Sequence, residues 1–286
     1  MSTSASPQAV QTLTLGYSPC PNDTFIFTAW TEGRIPGAPP VRERLEDIET
    51  LNGLAQRGEL DVAKVSFSAF GHLRERYCLL HAGGALGRGC GPLVIAREAF
   101  PAAELAGKRI AIPGKLTTAA LLLRLCAPEA GDLVQLPFHE IMAATRDGRV
   151  EAGVIIHESR FTYPRYGLRQ VLDLGEWWEG QTGHPIPLGG IAIRRDLGPE
   201  RIRAVDRALA ASVAYAHAHP EDVWPAVRRH AQEMEDEVMR QHIGLYVNDY
   251  TADYGPQGEA AIRHLLRTAE GLGLVPPSAS PLFVDG

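Results

Sequence analysis

The sequence predicts an α/β fold with largely parallel sheets. Three observations predict it. Short apolar runs alternate with helix-patterned segments, this strand–helix cycle occurs twice, and 45% of the 286 residues are hydrophobic, enough to bury a full core. At roughly 150 residues per domain the length points to two domains, and the two cycles read as two similar lobes.

The elements follow in chain order. Residues 1–10, MSTSASPQAV, are expected to be disordered. TLTLGYS (12–18) reads as a strand, and NDTFIFTAWTEG (22–33) as a helix with Asn22 or Asp23 near its N-cap and Gly33 past its end. ETLNGLAQRGEL (49–60) is a second helix and DVAKVSFSAF (61–70) leads into a second strand. YCLLHAGGALGRGCGPLVIAR (77–97) gives a strand, a glycine loop and a strand. The second cycle starts with the strand of LAGKRIAIPG (105–114) and the apolar helix KLTTAALLLRLC (115–126). LVQLPFHEIMAATRDGRVEAGVIIHE (133–158) supplies strand, helix and strand, and GGIAIRRDLG (189–198) one more strand. From Pro199 to about Gly273 the pattern is mostly helical.

Charge and composition exclude several classes. The net charge is -6 and the basic residues are scattered, so no nucleic-acid footprint is expected. The N-terminus has neither a basic nor an apolar signal region, and no run approaches the ~18 apolar residues of a membrane span. Cys20, Cys78, Cys90 and Cys126 lie far apart without a C-x-x-C, the usage of free thiols in a reducing cytoplasm.

Two phosphate-binding readings fail. Gly83, Gly84, Gly87, Gly89 and Gly91 precede a strand and lack the G-x-G-x-x-G spacing, so they read as a turn or a crossing between lobes. GKLTT (114–118) has Arg109 and Leu116 where a P-loop needs Gly and Ser/Thr. What remains is a strand–turn–helix junction with Thr117 and Thr118 at the helix start. Unpaired N–H groups and the positive end of the helix dipole favour an anion there. A threonine serving only as N-cap fits equally well.

The polar residues in apolar surroundings are the other candidates. Alternation puts Lys64 and Ser66 on one face of a strand. A lysine there must reach water or an anion, either by lining a cleft or by snorkelling at the strand end. Cys20 sits in the stiff loop SPCPNDTF, at the sheet edge where open α/β folds place ligands; with nothing nearby to activate it, contact or packing is expected rather than covalent catalysis. His157 ends the apolar run of GVIIHESRF. HESRF is not H-E-x-x-H, and no cluster has metal-ligand spacing, so no metal is expected. An imidazole at that edge suits proton transfer at neutral pH, and a satisfied core histidine is the competing reading. Glu158 would point away if the strand stayed regular. His217 and His219 precede Pro220 at a helix end and read as structural.

LGYSPCPNDTFIF, GGALGRGCGPLVIAR and IIHESRFTYPRYGL resemble the 1,4-dihydroxy-6-naphthoate synthases of the futalosine route to menaquinone, over roughly residues 12–284. The resemblance implies a type II periplasmic-binding-protein-like fold: two α/β lobes with a ligand cleft between them. It places lobe one at 1–96 plus 191–286 and lobe two at 97–190. It implies a cytoplasmic lyase that converts cyclic dehypoxanthinyl futalosine to 1,4-dihydroxy-6-naphthoate and dihydroxyacetone, with a small molecule as partner and no cofactor. A homodimer is compatible with it and not required by it. The family's proposed proton acceptor falls on His157, and its substrate contacts fall on Lys64, Val65, Ser66, Thr117 and Thr118. Two rivals share the fold: a cytoplasmic solute-binding or sensor protein without chemistry, and a chorismate dehydratase of the same pathway.

Overall fold

Strand β1 (Leu13–Tyr17) is mostly buried, and Pro21 opens α1 (Pro21–Thr31) at a position where a missing N–H costs no hydrogen bond. The computed structural model describes residues 11–231 and 235–284, so the expected disordered tail 1–10 lies outside the described residues. Strand β2 (Val41–Leu45) runs beside β1. Asp47 caps α2 (Ile48–Arg57), its Oδ1 accepting from the N–H groups of Glu49 and Thr50, and Gly58 closes it at φ 73°. Strand β3 (Val62–Ser66) passes directly into α3 (Phe67–Leu73). Strands β4 (Tyr77–Leu79), β5 (Ala85–Gly87) and β6 (Leu93–Ala96) follow.

The second cycle comprises β7 (Ile110–Ile112), α4 (Thr118–Cys126), β8 (Leu133–Gln135), α5 (Phe138–Arg146) and β9 (Ala152–Ile155). A single turn, α6 (Ser159–Thr162), leads to β10 (Arg169–Asp173) and α7 (Leu174–Thr182). Strand β11 (Ile186–Arg194) returns to the first sheet. Helices α8 (Pro199–Ala218), α9 (Pro220–His230), α10 (Asp236–Tyr246), α11 (Asp249–Ala252) and α12 (Gly255–Gly271) complete the described chain.

Two mixed sheets result. One has the order β2-β1-β3-β11-β4, with β5 also pairing β11; the other has β10-β6-β9-β7-β8. Helix α1 packs on α8, α9 and α10 over one face of the first sheet, through Phe27, Trp30, Leu209 and Val213. A second apolar cluster runs through both lobes, from Leu54 and Val65 to Leu122 and Val154, with α3 against α4 at the junction.

Three expectations change. The sheets are not largely parallel: β11 runs antiparallel to β3, β4 and β5, and β6 runs antiparallel to β9 and β10. The division after Ala96 also moves, because β6 pairs in the second sheet and all of β11 from Ile186 pairs in the first. The crossings therefore precede Leu93 and Ile186. At the first of them a Cβ on Gly91 would lie 2.4 Å from Gly175 Cα, an approach only glycine allows. Third, residues 67–70 are helix, not strand.

Candidate active site

Five of the six residues marked by the sequence meet in one cleft between the sheets. Lys64, Ser66, Thr117, Thr118 and His157 line it, together with Asp23, Asn22, Leu188, His242 and Tyr246. Val65 does not: strand alternation turns its side chain into the apolar core, fully buried.

Lys64 resolves its burial through Asp23. Its Nζ donates to Asp23 Oδ1 at 2.9 Å, and only 6% of the lysine and 2% of the aspartate side chain is exposed. The other carboxylate oxygen accepts from the Ser18 hydroxyl at 2.7 Å and the Ser18 N–H at 3.2 Å. A buried pair needs such extra donors, because desolvation alone would exceed the attraction. Ser66 is fixed by Asn52, whose Nδ2 donates to the serine hydroxyl at 3.2 Å and whose Oδ1 accepts from the Ser66 N–H at 2.9 Å.

The threonine pair divides its labour. Thr117 is the N-cap of α4: its hydroxyl accepts from the Ala120 N–H at 3.2 Å and donates to the Gly114 carbonyl at 2.7 Å. Thr118 donates across the cleft to the Leu188 carbonyl at 2.5 Å, and its hydroxyl oxygen faces the Ser68 N–H at 3.4 Å. Both hydroxyl protons are thus committed within the protein. What the helix end still offers a ligand is its first N–H groups, which have no intrahelical acceptor. Just before the cap, the Glu49 carboxylate of the first lobe accepts from the Leu116 N–H at 3.2 Å, and burial raises its pKa above the ordinary carboxylate value.

His157 follows β9 by two residues at φ 58°, the only non-glycine residue with positive φ among those described. Such a conformation is uncommon, though histidine tolerates it better than most. It turns the imidazole toward Cys20, whose sulfur lies 3.5 Å from Nδ1. Phe138 packs edge-on at 5.3 Å and His242 lies parallel at 6.3 Å. Burial lowers the His157 pKa below the ordinary histidine value, with Glu158 and Asp23 opposing that shift. Burial, then the Glu158 charge, pushes the Cys20 thiol far up, so it stays protonated and is no nucleophile. The turn after His157 is held by Arg160, which donates to the Gly91 carbonyl and to Asp173 Oδ2, each at 2.6 Å. Asp173 itself caps α7.

The sequence pattern of the menaquinone biosynthesis family matches residues 13–271. The chain belongs to that family. It is 52% identical over 275 residues to the 1,4-dihydroxy-6-naphthoate synthase of Thermus thermophilus, covering 96% of this chain and 100% of the relative. The enzyme of that name from Streptomyces coelicolor is 52% identical over 273 residues, 94% of this chain and 96% of its own. Among solved structures, protein AF1704 of Archaeoglobus fulgidus superposes with a TM-score of 0.87 at 38% identity, covering 92% of this chain and 98% of that one. The alkanesulfonate-binding protein SsuA of Xanthomonas axonopodis shares 16% identity with a TM-score of 0.69, over 96% of both chains. That second likeness shows the fold alone: this family member has the periplasmic-binding-protein fold, two α/β lobes around a cleft.

Several cleft residues were invisible as site residues in the sequence. Asn22 and Asp23 read only as helix-cap candidates, and Ser18 as part of a stiff loop. His242 and Tyr246 sit four residues apart on the apolar face of α10, where the spacing signals core rather than site. Arg160 lies within IIHESRF, yet its partners Gly91 and Asp173 are remote in sequence. Among the described residues no group of three or more His, Cys, Asp or Glu is arranged to hold a metal, and no helix is long and apolar enough to cross a membrane.

Proposed function

We propose that this protein is a carbon–carbon lyase that converts cyclic dehypoxanthinyl futalosine into 1,4-dihydroxy-6-naphthoate and dihydroxyacetone, with His157 as general base. The observation that carries the reading is His157 itself. An imidazole with lowered pKa is held at positive φ on the wall of a mostly apolar cleft that a buried Lys64–Asp23 pair also lines. The name of the close relatives supports 1,4-dihydroxy-6-naphthoate as the product, and a cytoplasmic location goes with that biosynthetic role.

The chemistry suits these groups. A retro-aldol cleavage begins when a base takes the proton of a hydroxyl beside the bond to be broken: that carbon–oxygen bond becomes a carbonyl, the carbon–carbon bond breaks, and its electron pair is left as an enolate on the other fragment, which is then reprotonated. Aromatisation of the naphthoate ring supplies the driving force. A neutral base takes the proton, and the Lys64 ammonium and the first N–H groups of α4 offset the developing negative charge. In the tautomer whose Nδ1–H points at the Cys20 sulfur, Nε2 keeps the lone pair that serves as base. Thr118 and Glu49, bonded to the opposite lobe, hold the cleft shut and keep water from the enolate.

The test is incubation of the purified protein with cyclic dehypoxanthinyl futalosine, followed by mass spectrometry. Release of dihydroxynaphthoate and dihydroxyacetone in equal amounts is expected. Tight binding of the substrate without turnover would instead make the protein a solute-binding member of the fold.

A further inference from the structure

Four buried side chains form a hydrogen-bonded chain from Lys64 to His242. Lys64 Nζ and Asn22 Nδ2 both donate to Asp23 Oδ1 at 2.9 Å. Asn22 Oδ1 lies 2.9 Å from His242 Nε2. Each link dictates the next. The ion-paired Asp23 carboxylate offers only lone pairs, so Asn22 must turn its amide N–H groups toward it. The Asn22 oxygen, an acceptor, then faces His242, and Nε2 must carry the ring hydrogen. The other ring nitrogen, Nδ1, is left as an acceptor.

That acceptor has no partner. His242 is fully buried, it lines the cleft, and its Nδ1 makes no hydrogen bond among the described residues. Buried polar atoms of this kind are rarely left unpaired. The His242 ring lies parallel to that of His157, 6.3 Å away with an interplanar angle of 15°. The two rings therefore line the same cleft side by side.

We infer that His242 Nδ1 is a ligand-recognition group that accepts a hydrogen bond from a ring hydroxyl of the substrate, one that the dihydroxynaphthoate product retains. This rests on the function proposed above. A lone-pair nitrogen cannot pair with an ionised carboxylate or a carbonyl, which have no hydrogen to give. It selects a hydroxyl at that point, and the Lys64–Asp23–Asn22 chain locks the tautomer that makes the selection. Burial, then the neighbouring His157 imidazole and the Lys64 charge, holds the His242 pKa well below the ordinary value, so the nitrogen stays an acceptor at neutral pH.

The test measures affinity for 1,4-dihydroxy-6-naphthoate and for its two analogues that each lack one ring hydroxyl. Wild type should bind one analogue roughly tenfold more weakly, the value of one hydrogen bond to a buried acceptor. His242→Gln still donates to Asn22 but carries no acceptor at Nδ1, and it should lose that discrimination. His242→Asn, which can place its amide oxygen near the Nδ1 position, should retain part of it. Equal discrimination by His242→Gln and wild type overturns the inference. Nitrogen NMR of histidine-labelled wild type makes the test independent of variant folding. The His242 Nδ1 resonance should move when the dihydroxynaphthoate binds and stay put with the weaker analogue; a bound product that leaves it unmoved overturns the inference too. A wild-type protein that turns over no futalosine derivative and binds no naphthoate removes the proposed function itself, and this inference with it.

Discussion

His157 Nδ1 lies 3.5 Å from the sulfur of Cys20, a pair separated by 137 residues in sequence and brought together across the cleft. The contact resembles a nucleophile–base dyad, but the electrostatics oppose that role. Burial raises the thiol pKa and lowers the imidazole pKa, so the neutral pair is favoured over thiolate and imidazolium. The sulfur is a weak partner that orients the ring.

Cys20→Ala should therefore keep the chemistry. The loss in kcat should stay within about tenfold, since a positioning contact is removed and no covalent step depends on it. Intact-protein mass spectrometry during turnover should show no adduct on wild type. A fall in kcat of several thousandfold, or a trapped adduct on Cys20, would restore the nucleophile reading.

His157→Asn should lower kcat by about 10²–10⁴, the usual loss of a general base. Asparagine is the informative replacement because it tolerates the positive φ of this position, whereas alanine would add backbone strain to the loss of the base. The melting temperature should stay near that of wild type. Turnover within a few-fold of wild type would place the base elsewhere.

The pH profile has a definite sign. A lowered pKa keeps His157 neutral, and thus competent as a base, below pH 6.5, the ordinary histidine value. The acid limb of kcat/KM assigned to His157 should have its midpoint under 6.5 and vanish in His157→Asn. Stability follows the same direction. For His157 and His242 the folded pKa is the lower one, so the unfolded chain binds more protons as pH drops below the unfolded value. Their contribution is present above that value and is lost as pH falls through the folded values. A His157 limb centred above 6.5 would contradict the burial argument.

The sequence made the two lobes legible through two strand–helix cycles, and the cleft through residues out of keeping with their surroundings: Lys64 in an apolar strand, His157 at the end of another. It hid elements without that contrast. Strand β2, VRERL, is an exposed edge strand whose charges mask its period, although Tyr17 donates to Glu43 there at 2.5 Å. Strand β10 and α7 had no marked pattern, and the antiparallel return of β11 is a property of topology rather than of any local run. His242 was hidden for the opposite reason: on an apolar helix face it looks like core, and only Asn22, 220 residues away in sequence, reveals its chemistry. The threonine pair carried two readings, and the structure assigns the cap to Thr117 and the cross-cleft bond to Thr118.

Gly114→Ala should weaken ligand binding without touching a reacting group. A Cβ at Gly114 would lie 2.3 Å from the Glu49 carboxyl carbon, so the clasp between Glu49 and the Leu116 N–H must open. Overpacking of this kind costs about 1–3 kcal/mol, or roughly 5- to 150-fold in affinity if all of it falls on the closed state. Shortening the carboxylate in Glu49→Ala/Gly114→Ala should recover part of the loss. No recovery in the double variant would mean that the added methyl acts through something other than Glu49.

Thr118→Val separates the two roles that helix α4 gives its threonines. Thr117 caps the helix and remains in place, so α4 should keep its stability. Valine is close in shape to threonine, and the first N–H groups of the helix stay available to an anion. What disappears is the hydroxyl that joins the second lobe to the Leu188 carbonyl of the first. Leu188 would then keep an unpaired carbonyl inside the cleft, a loss of about 1–3 kcal/mol. Because the bond joins the two lobes, the loss is expected to fall on closure. Product affinity should drop roughly 5- to 150-fold, with little change in melting temperature. Thr117→Val should do the reverse, lowering stability by about 1 kcal/mol through the lost cap. If Thr118→Val sharply lowers the melting temperature and leaves affinity intact, its bond to Leu188 holds the fold together, and closure of the cleft depends on other contacts.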